Sequence, residues 1–360
     1  MRKSMDRTRR GVCALASLAL SAAPASATAP TPRESVRIPF AERFHATQHG
    51  GIARAANSAV TCGGTDRRAA AACVAERQGG AGGHHRLAYV DVDADRGTAN
   101  SSTADLRLPA GSKVSYARLY WGGNLRVGGR KAAEDNGRVL IAGPGGRYQE
   151  VRADSVTGRR TALAAADGFQ ASADVTELVR RNGPGGYTVG RINVATGRST
   201  AGAWGGWTLV AAYENPRLPL RSIALWDGFE PLGAGRRTLS VRPAGLRVPT
   251  NANGRLGAVA YGAKRGGGAD GLTVQNGRRR PHALGDTANP ANDVMNSTIT
   301  DFGRETARKP AYRNTFGIDS DVFDLKPALR PGGDRLTFRF TTRDPGYLLG
   351  ALFFQADAGR

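Results

Sequence analysis

The stretch RLTFRFTT, Arg335–Thr342, decides the class of fold. Leu336, Phe338 and Phe340 fall at every second position, and Arg335, Thr337 and Arg339 alternate with them. Successive side chains of a strand point to opposite faces, so this segment reads as an antiparallel strand with one wet and one buried face. The same signature recurs upstream. LAYVDVD, TADLRL, KVSYARLYW, RVLIAG, YTVGRINV and WTLVAAY are short apolar runs between Gly, Pro, Asn and Asp turns. RSIALWDGF, TLSVRP, GAVAYGA, GLTVQNG and YLLGALFFQA continue the series. Helical signals are sparse. In ADVTELVRRNGPGG, Asp174 is placed to cap a short helix, with Glu177 three residues later as in a capping box and Gly183-Pro184 as its stop. RRAAAACVAER is the other candidate. Alternating βαβ units and long-period repeats are missing from the pattern, which argues against Rossmann, TIM-barrel and solenoid folds. The expectation is an all-β antiparallel sandwich of jelly-roll type. Two packed halves, residues 45–200 and 201–360, would meet in the Gly/Ala/Ser-rich connection at 197–206.

The N-terminus bears on the compartment. Arg2, Lys3, Arg7, Arg9 and Arg10 precede the apolar GVCALASLALSAA, and ASA at Ala25–Ala27 fits a small-x-small cleavage rule. A signal peptide over residues 1–27 is expected, then a flexible leader over 28–44. TRRGV resembles a twin-arginine signal only faintly, so ordinary export is the expected route. No later apolar run approaches the roughly 20 residues of a spanning helix. Removing 27 of 360 residues leaves 333, takes Cys13 with it, and lowers the net charge from +21 to +17. Cys62 and Cys73 remain, and an even count in an exported chain predicts one disulfide. Their spacing suits neither a CxxC redox motif nor a zinc ribbon.

A strongly basic chain attracts anionic partners. A GC-rich coding bias gives the same excess of arginine over lysine, so charge alone names no ligand. The arginines are scattered rather than set in a stripe interleaved with aromatics, which argues against nucleic acid. An anionic wall polymer or a glycan is the expected partner class.

Five segments carry a resemblance: VTCGGTDRRAAAACVAERQG, the run from YVDVDADRG to LYWGGN, ADVTELVRRNGPGGYTVGRINVATG, GWTLVAAYENPRLPLRSIALWDGF and NTFGIDSDVFDL. In this order they resemble an uncharacterised secreted module of high-GC Gram-positive surface proteins, one that often precedes tandem Ig-like repeat domains. The resemblance runs from about Ser58 to the end, with LYWGG and GWTLVAAYENP its most specific pieces. It implies an extracellular β-rich module and no particular reaction. The chain reaches Arg360 without such repeats, so release, or non-covalent retention on the wall, is expected over anchoring.

Candidate sites are weighed against plainer readings. Asp91, Asp93 and Asp95 would share one face of a strand, too far apart to grip one ion unless the chain turns at Asp95-Arg96-Gly97. With such a turn, Asp93, Asp95 and the Asn100 amide could converge as calcium ligands. Asp319, Asp321 and Asp324 form a second candidate calcium cluster, and a site shared between the two is conceivable. The plainer reading is solvated acids paired with arginines. Trp121, Trp204 and Trp226 would stack on sugars if exposed, although the alternation around Trp207 suits core packing. His84 and His85 are adjacent, and neighbours on a strand face opposite ways, which suits a zinc site poorly. Neither a GxSxG elbow, an HExxH motif nor a phosphate-binding P-loop occurs. Asp227 and Glu230 in WDGFEP are the carboxylates a hydrolase would need across a cleft. A binding or structural module is the first reading, and a secreted carbohydrate-active hydrolase the alternative.

Overall fold

The computed structural model describes residues 32–359, apart from 65, 81–85, 94, 128, 160–165, 199–201 and 344–345. The expected signal peptide and its cleavage site lie outside the described residues, as do His84 and His85. The chain is all-β and antiparallel at nearly every pairing. Its first part supplies β1 (Ala41–Ser58), β2 (Val60–Gly63), β3 (Arg86–Tyr89), β4 (Ser101–Leu106), β5 (Lys113–Asn124), β6 (Arg126–Val127), β7 (Gly129–Arg130), β8 (Arg138–Ala142), β9 (Gln149–Arg152), β10 (Ser155–Arg159), β11 (Gly168–Asp174) and β12 (Gly185–Gly190). Its second part supplies β13 (Gly205–Glu214), β14 (Leu220–Leu232), β15 (Thr238–Val241), β16 (Gly254–Tyr261), β17 (Gly271–Asn276), β18 (His282–Ala283), β19 (Thr300–Asp301), β20 (Arg304–Glu305), β21 (Arg308–Lys309), β22 (Ile318–Asp324), β23 (Leu336–Thr341) and β24 (Tyr347–Asp357). Three short helices, α1 (Arg67–Arg77), α2 (Thr176–Asn182) and α3 (Lys326–Leu329), complete the described elements.

Eleven strands form one large sheet in the order β10-β11-β5-β13-β1-β14-β24-β16-β22-β19-β20. Two smaller sheets, β21-β4-β12-β8-β9 and β15-β23-β17-β18, pack against it. β1 joins the two ends of the large sheet. Its residues Gly50 to Ser58 pair with β13, and Ala41 to His49 pair with β14. Gly50 marks the change of partner. Its φ is +149°, and a Cβ there would stand 1.9 Å from the Tyr213 carbonyl oxygen, so only glycine fits. The strand begins at Ala41, inside the stretch expected as flexible leader, and Ser35 already bridges Thr157.

Three apolar layers follow from this arrangement. Leu119, Trp121, Phe169, Val189 and Leu209 lie between β5, β11, β13 and the five-stranded sheet. Leu256, Phe323, Phe338, Phe340 and Phe354 lie between β16, β22, β24 and the four-stranded sheet. Ile52, Tyr120, Val210, Ile223, Tyr261 and Phe353 fill a seam where the outer faces of the two ends of the large sheet meet. β13 and β24 are therefore covered on both faces and read as unbroken apolar runs, whereas β23 alternates because one face is wet.

The helices sit where capping chemistry puts them. Asp66 accepts the Ala69 N–H at 2.8 Å to start α1, and the Cys62–Cys73 disulfide ties that helix to β2. At α2, Asp174 takes the Thr176 N–H at 2.8 Å, but Glu177 pairs with Arg180 at 2.6 Å rather than closing a capping box. No described helix is long and apolar enough to cross a membrane.

Candidate functional site

The two acidic segments end in opposite environments. After Tyr89 the chain leaves the sheet, so Asp91, Asp93 and Asp95 share no strand face. Asp93 accepts the Asp95 N–H at 3.1 Å and the Thr98 hydroxyl at 3.2 Å, and Tyr148 donates to its second oxygen. Asp95 takes the Gly97 N–H at 2.7 Å, and Asp91 takes the Ser101 hydroxyl at 2.6 Å. Asn100 turns inward and clamps the Ile192 backbone at 2.9 and 3.0 Å. Burial alone would raise the Asp93 pKa, but the Tyr148 hydroxyl and the Asp95 N–H outweigh it, and the net direction is down. These aspartates organise a turn by local hydrogen bonding.

Asp319 and Asp321 come together on one face of β22, at 0% and 1% exposure. Asp321 accepts the Thr300 N–H and hydroxyl at 2.8 and 2.7 Å. Asp319 accepts the Thr298 N–H at 3.2 Å, and its Oδ2 has no hydrogen-bond partner. Desolvation pushes Asp321 up to about 7, and desolvation with the neighbouring Asp321 charge pushes Asp319 well above the usual carboxylate range. Asp324 is exposed and takes the Lys326 N–H at 2.9 Å, where α3 begins. Among the described residues, no three His, Cys, Asp or Glu side chains converge on a metal position.

Trp121, Trp204 and Trp226 are buried in the apolar layers, so none is a sugar platform. Trp121 donates its indole N–H to the Asn136 carbonyl at 2.8 Å, and Trp204 packs beside Tyr261 with ring centroids 5.9 Å apart. Asp227 and Glu230 lie at a β-bulge in β14, both buried and both ion-paired. Arg43 grips Asp227 with two bonds of 2.9 Å, Tyr120 donates to it at 2.9 Å, and Arg118 Nε stands 3.4 Å away. Glu230 is held by Arg37 at 3.3 Å and Arg236 at 2.9 Å. This end of the seam is closed.

The seam is open where β1 carries Arg54. A cavity of about 380 Å³ lies there, between β1, β16 and β24 on one side and β4 and the β19–β20 hairpin on the other. Arg54, Arg107, Arg255 and Arg304 line it, with Asp105, Asp301 and Glu305 as the acids. The Arg54 side chain is 1% exposed and lies at the floor. Its Nη2 donates to the Thr300 carbonyl at 2.8 Å and to Asp301 at 2.7 Å, while the buried Nε and Nη1 have no hydrogen-bond partner among the described residues. Arg308, buried behind the acids, pairs with Glu305 at 2.6 Å. Arg107 and Arg304 are exposed and have no ion pair with a described residue. Arg255 lies over the Phe302 ring, 5.3 Å from its centroid.

Phe302 itself is unusual. Asp301 pairs with Arg304, so Phe302-Gly303 is a two-residue hairpin loop, with φ +53° and +73°. Such a loop favours Asn-Gly, and a bulky residue held at positive φ costs about 1–3 kcal/mol. Phe316-Gly317 repeats the conformation with φ +54° and +86°, but Phe316 is 7% exposed and packs into the first apolar layer. Core burial offsets strain at Phe316. Phe302 is 40% exposed, and no comparable burial offsets it. Sequence reading did not single out Arg54 or Phe302. The available signal was a Phe-Gly pair in TDFGRE, where a hairpin of this length prefers Asn-Gly.

No family model matches the chain, and no curated protein matches it either. Among solved structures it is similar to PNGase F, a glycosylasparaginase from Flavobacterium meningosepticum, at 14% identity and a TM-score of 0.24, covering 72% of this chain and 90% of that one. A second similar structure is a peptide-N(4)-(N-acetyl-β-D-glucosaminyl) asparagine amidase, at 13% identity and a TM-score of 0.23, covering 75% of this chain and 93% of that one. Scores this low carry no argument about fold or activity.

Proposed function

We propose that this chain is an exported β-sandwich module, at or near the cell surface, that binds an anionic glycan or wall polymer in the seam cavity. The observation that carries the reading is the rim: Arg107, Arg255 and Arg304 surround a cavity whose floor is the buried Arg54. Most carboxylates a hydrolase could use are spoken for elsewhere. Asp227 and Glu230 are locked to arginines, and the perturbed pair Asp319 and Asp321 is sealed from solvent. The formal charge of +17 that remains after loss of residues 1–27 supplies long-range attraction to the same class of ligand. The Cys62–Cys73 disulfide suits an oxidising compartment.

Retention on an immobilised anionic polysaccharide tests the binding site. It should weaken as salt shortens the Debye length below about 8 Å. Replacing Arg107, Arg255 and Arg304 together by Gln should abolish it while leaving the far-UV spectrum unchanged. Undiminished retention by that variant would refute the assignment of the site. Export has its own check: protein recovered from the medium should begin at Thr28.

A further inference from the structure

We infer that the seam cavity takes a sugar carboxylate, a hexuronate unit of an anionic polysaccharide, with Phe302 against the ring and the arginines on the acid. This deepens the binding reading above and rests on it. Three features of the cavity select that class. First, its charges are mixed. Arg54, Arg107, Arg255 and Arg304 face Asp105, Asp301 and Glu305, with Arg308 buried behind. A polymer with phosphates in close succession would meet those carboxylates with like charge. A ring bearing one acid group and several hydroxyls would instead give each lining acid a hydroxyl donor. Second, planar guanidinium forks match a carboxylate with paired hydrogen bonds. Arg107 and Arg304 are exposed at the rim and have no ion pair with a described residue, so an acid group in the cavity has guanidinium partners within reach.

The third feature is Phe302. An exposed aromatic held at positive φ is strained without evident structural return. Arg255 lies over one face of its ring at the cavity edge. A flat apolar face beside hydrogen-bonding groups is what a pyranose presents and requires. At about 380 Å³ the cavity is near the small end of ligand sites, which span about 300–1,000 Å³, so it suits a short stretch of polymer.

Calorimetric titration of the full chain tests the inference with three probes: an oligogalacturonate, its carboxyl-reduced neutral counterpart, and a poly(glycerol phosphate) of matched length. Oligogalacturonate should bind saturably at physiological salt, the reduced form roughly tenfold or more weakly, and the phosphate polymer without saturation. Phe302→Gly should lose binding by a similar factor yet melt at the same or a higher temperature, because glycine accepts the loop conformation. Wild-type affinity in Phe302→Gly, or a lowered melting temperature, would overturn the role given to this ring. Equal binding of the phosphate polymer would overturn the sugar-acid class while leaving the anionic-polymer reading standing. Absence of binding to either anion would remove both.

Discussion

Arg43 and Arg54 lie on the same strand, and their ends of the seam differ in one respect. At Arg43 every charge has found its counter-charge inside the protein: Arg43, Arg118 and Tyr120 all converge on Asp227. At Arg54 the guanidinium is far more deeply buried, yet two of its nitrogens have no hydrogen-bond partner among the described residues, and the exposed rim arginines Arg107 and Arg304 have no ion pair with a described residue. One end is a fastening between the two parts of the large sheet. The other leaves exposed rim arginines without ion pairs to described residues, which an anionic ligand can supply. The more deeply buried guanidinium is the less completely paired one, so what distinguishes the two ends is whether the charges are matched inside the protein.

Removing the anion at the closed end should have the largest effect on stability. Asp227→Ala leaves Arg118 buried without one of its counter-charges, and a loss of about 3–5 kcal/mol is expected in denaturant titration. Binding in the cavity should survive in the folded fraction. An unchanged midpoint would erase the distinction between the two ends.

Next in size is a pH effect beside the open end. Asp321 is pushed up to about 7 and Asp270 to about 6, mainly by desolvation, so the folded state holds protons that the unfolded chain releases near pH 4. Stability from these groups is therefore greatest at low pH and falls as pH rises through 6 and 7. Between pH 5 and 8 the fall should be on the order of 3 kcal/mol, and Asp321→Asn should remove the larger part of it, leaving the share of Asp270. A melting temperature that climbs over that range would contradict the burial of these acids.

The disulfide comes third. Cys62→Ser with Cys73→Ser should lower stability by about 2–3 kcal/mol in thermal or chemical denaturation, since the loop it closes is short. Arg107→Gln is the smallest perturbation. Its stability change should stay within about 0.5 kcal/mol, while retention on anionic polysaccharide drops. A large destabilisation there would mean the rim is structural after all.

The alternating and continuous apolar runs were readable from sequence because burial on one face or two writes itself into the spacing of side chains. RLTFRFTT became β23, WTLVAAY became β13, and YLLGALFFQA became β24. The longest strand was not readable. AERFHATQHGGIARAANS is rich in Ala, with Gly, His and Gln among it, poor β-formers that are nonetheless held in place by β14 along the first half and β13 along the second. LAYVDVD was readable only in part, because the Asx turn at Asp93 ended the strand early. The binding cavity was invisible for a different reason. Arg54, Arg107, Arg255 and Arg304 come from four separate segments, and only the folded arrangement of β1, β4, β16 and the β19–β20 hairpin around one cavity assembles them.

The position of β1 has a kinetic corollary. It is the first long strand to be synthesised, yet its partners Trp207 and Asp227 lie far downstream of Asn57 and Ala41. Contacts so distant in sequence form slowly, and until then β1 is an unpaired ribbon. Its small and polar composition makes that ribbon a poor template for self-association during the wait. Residues that look like weak strand formers in the finished molecule are thus well suited to the unfinished one.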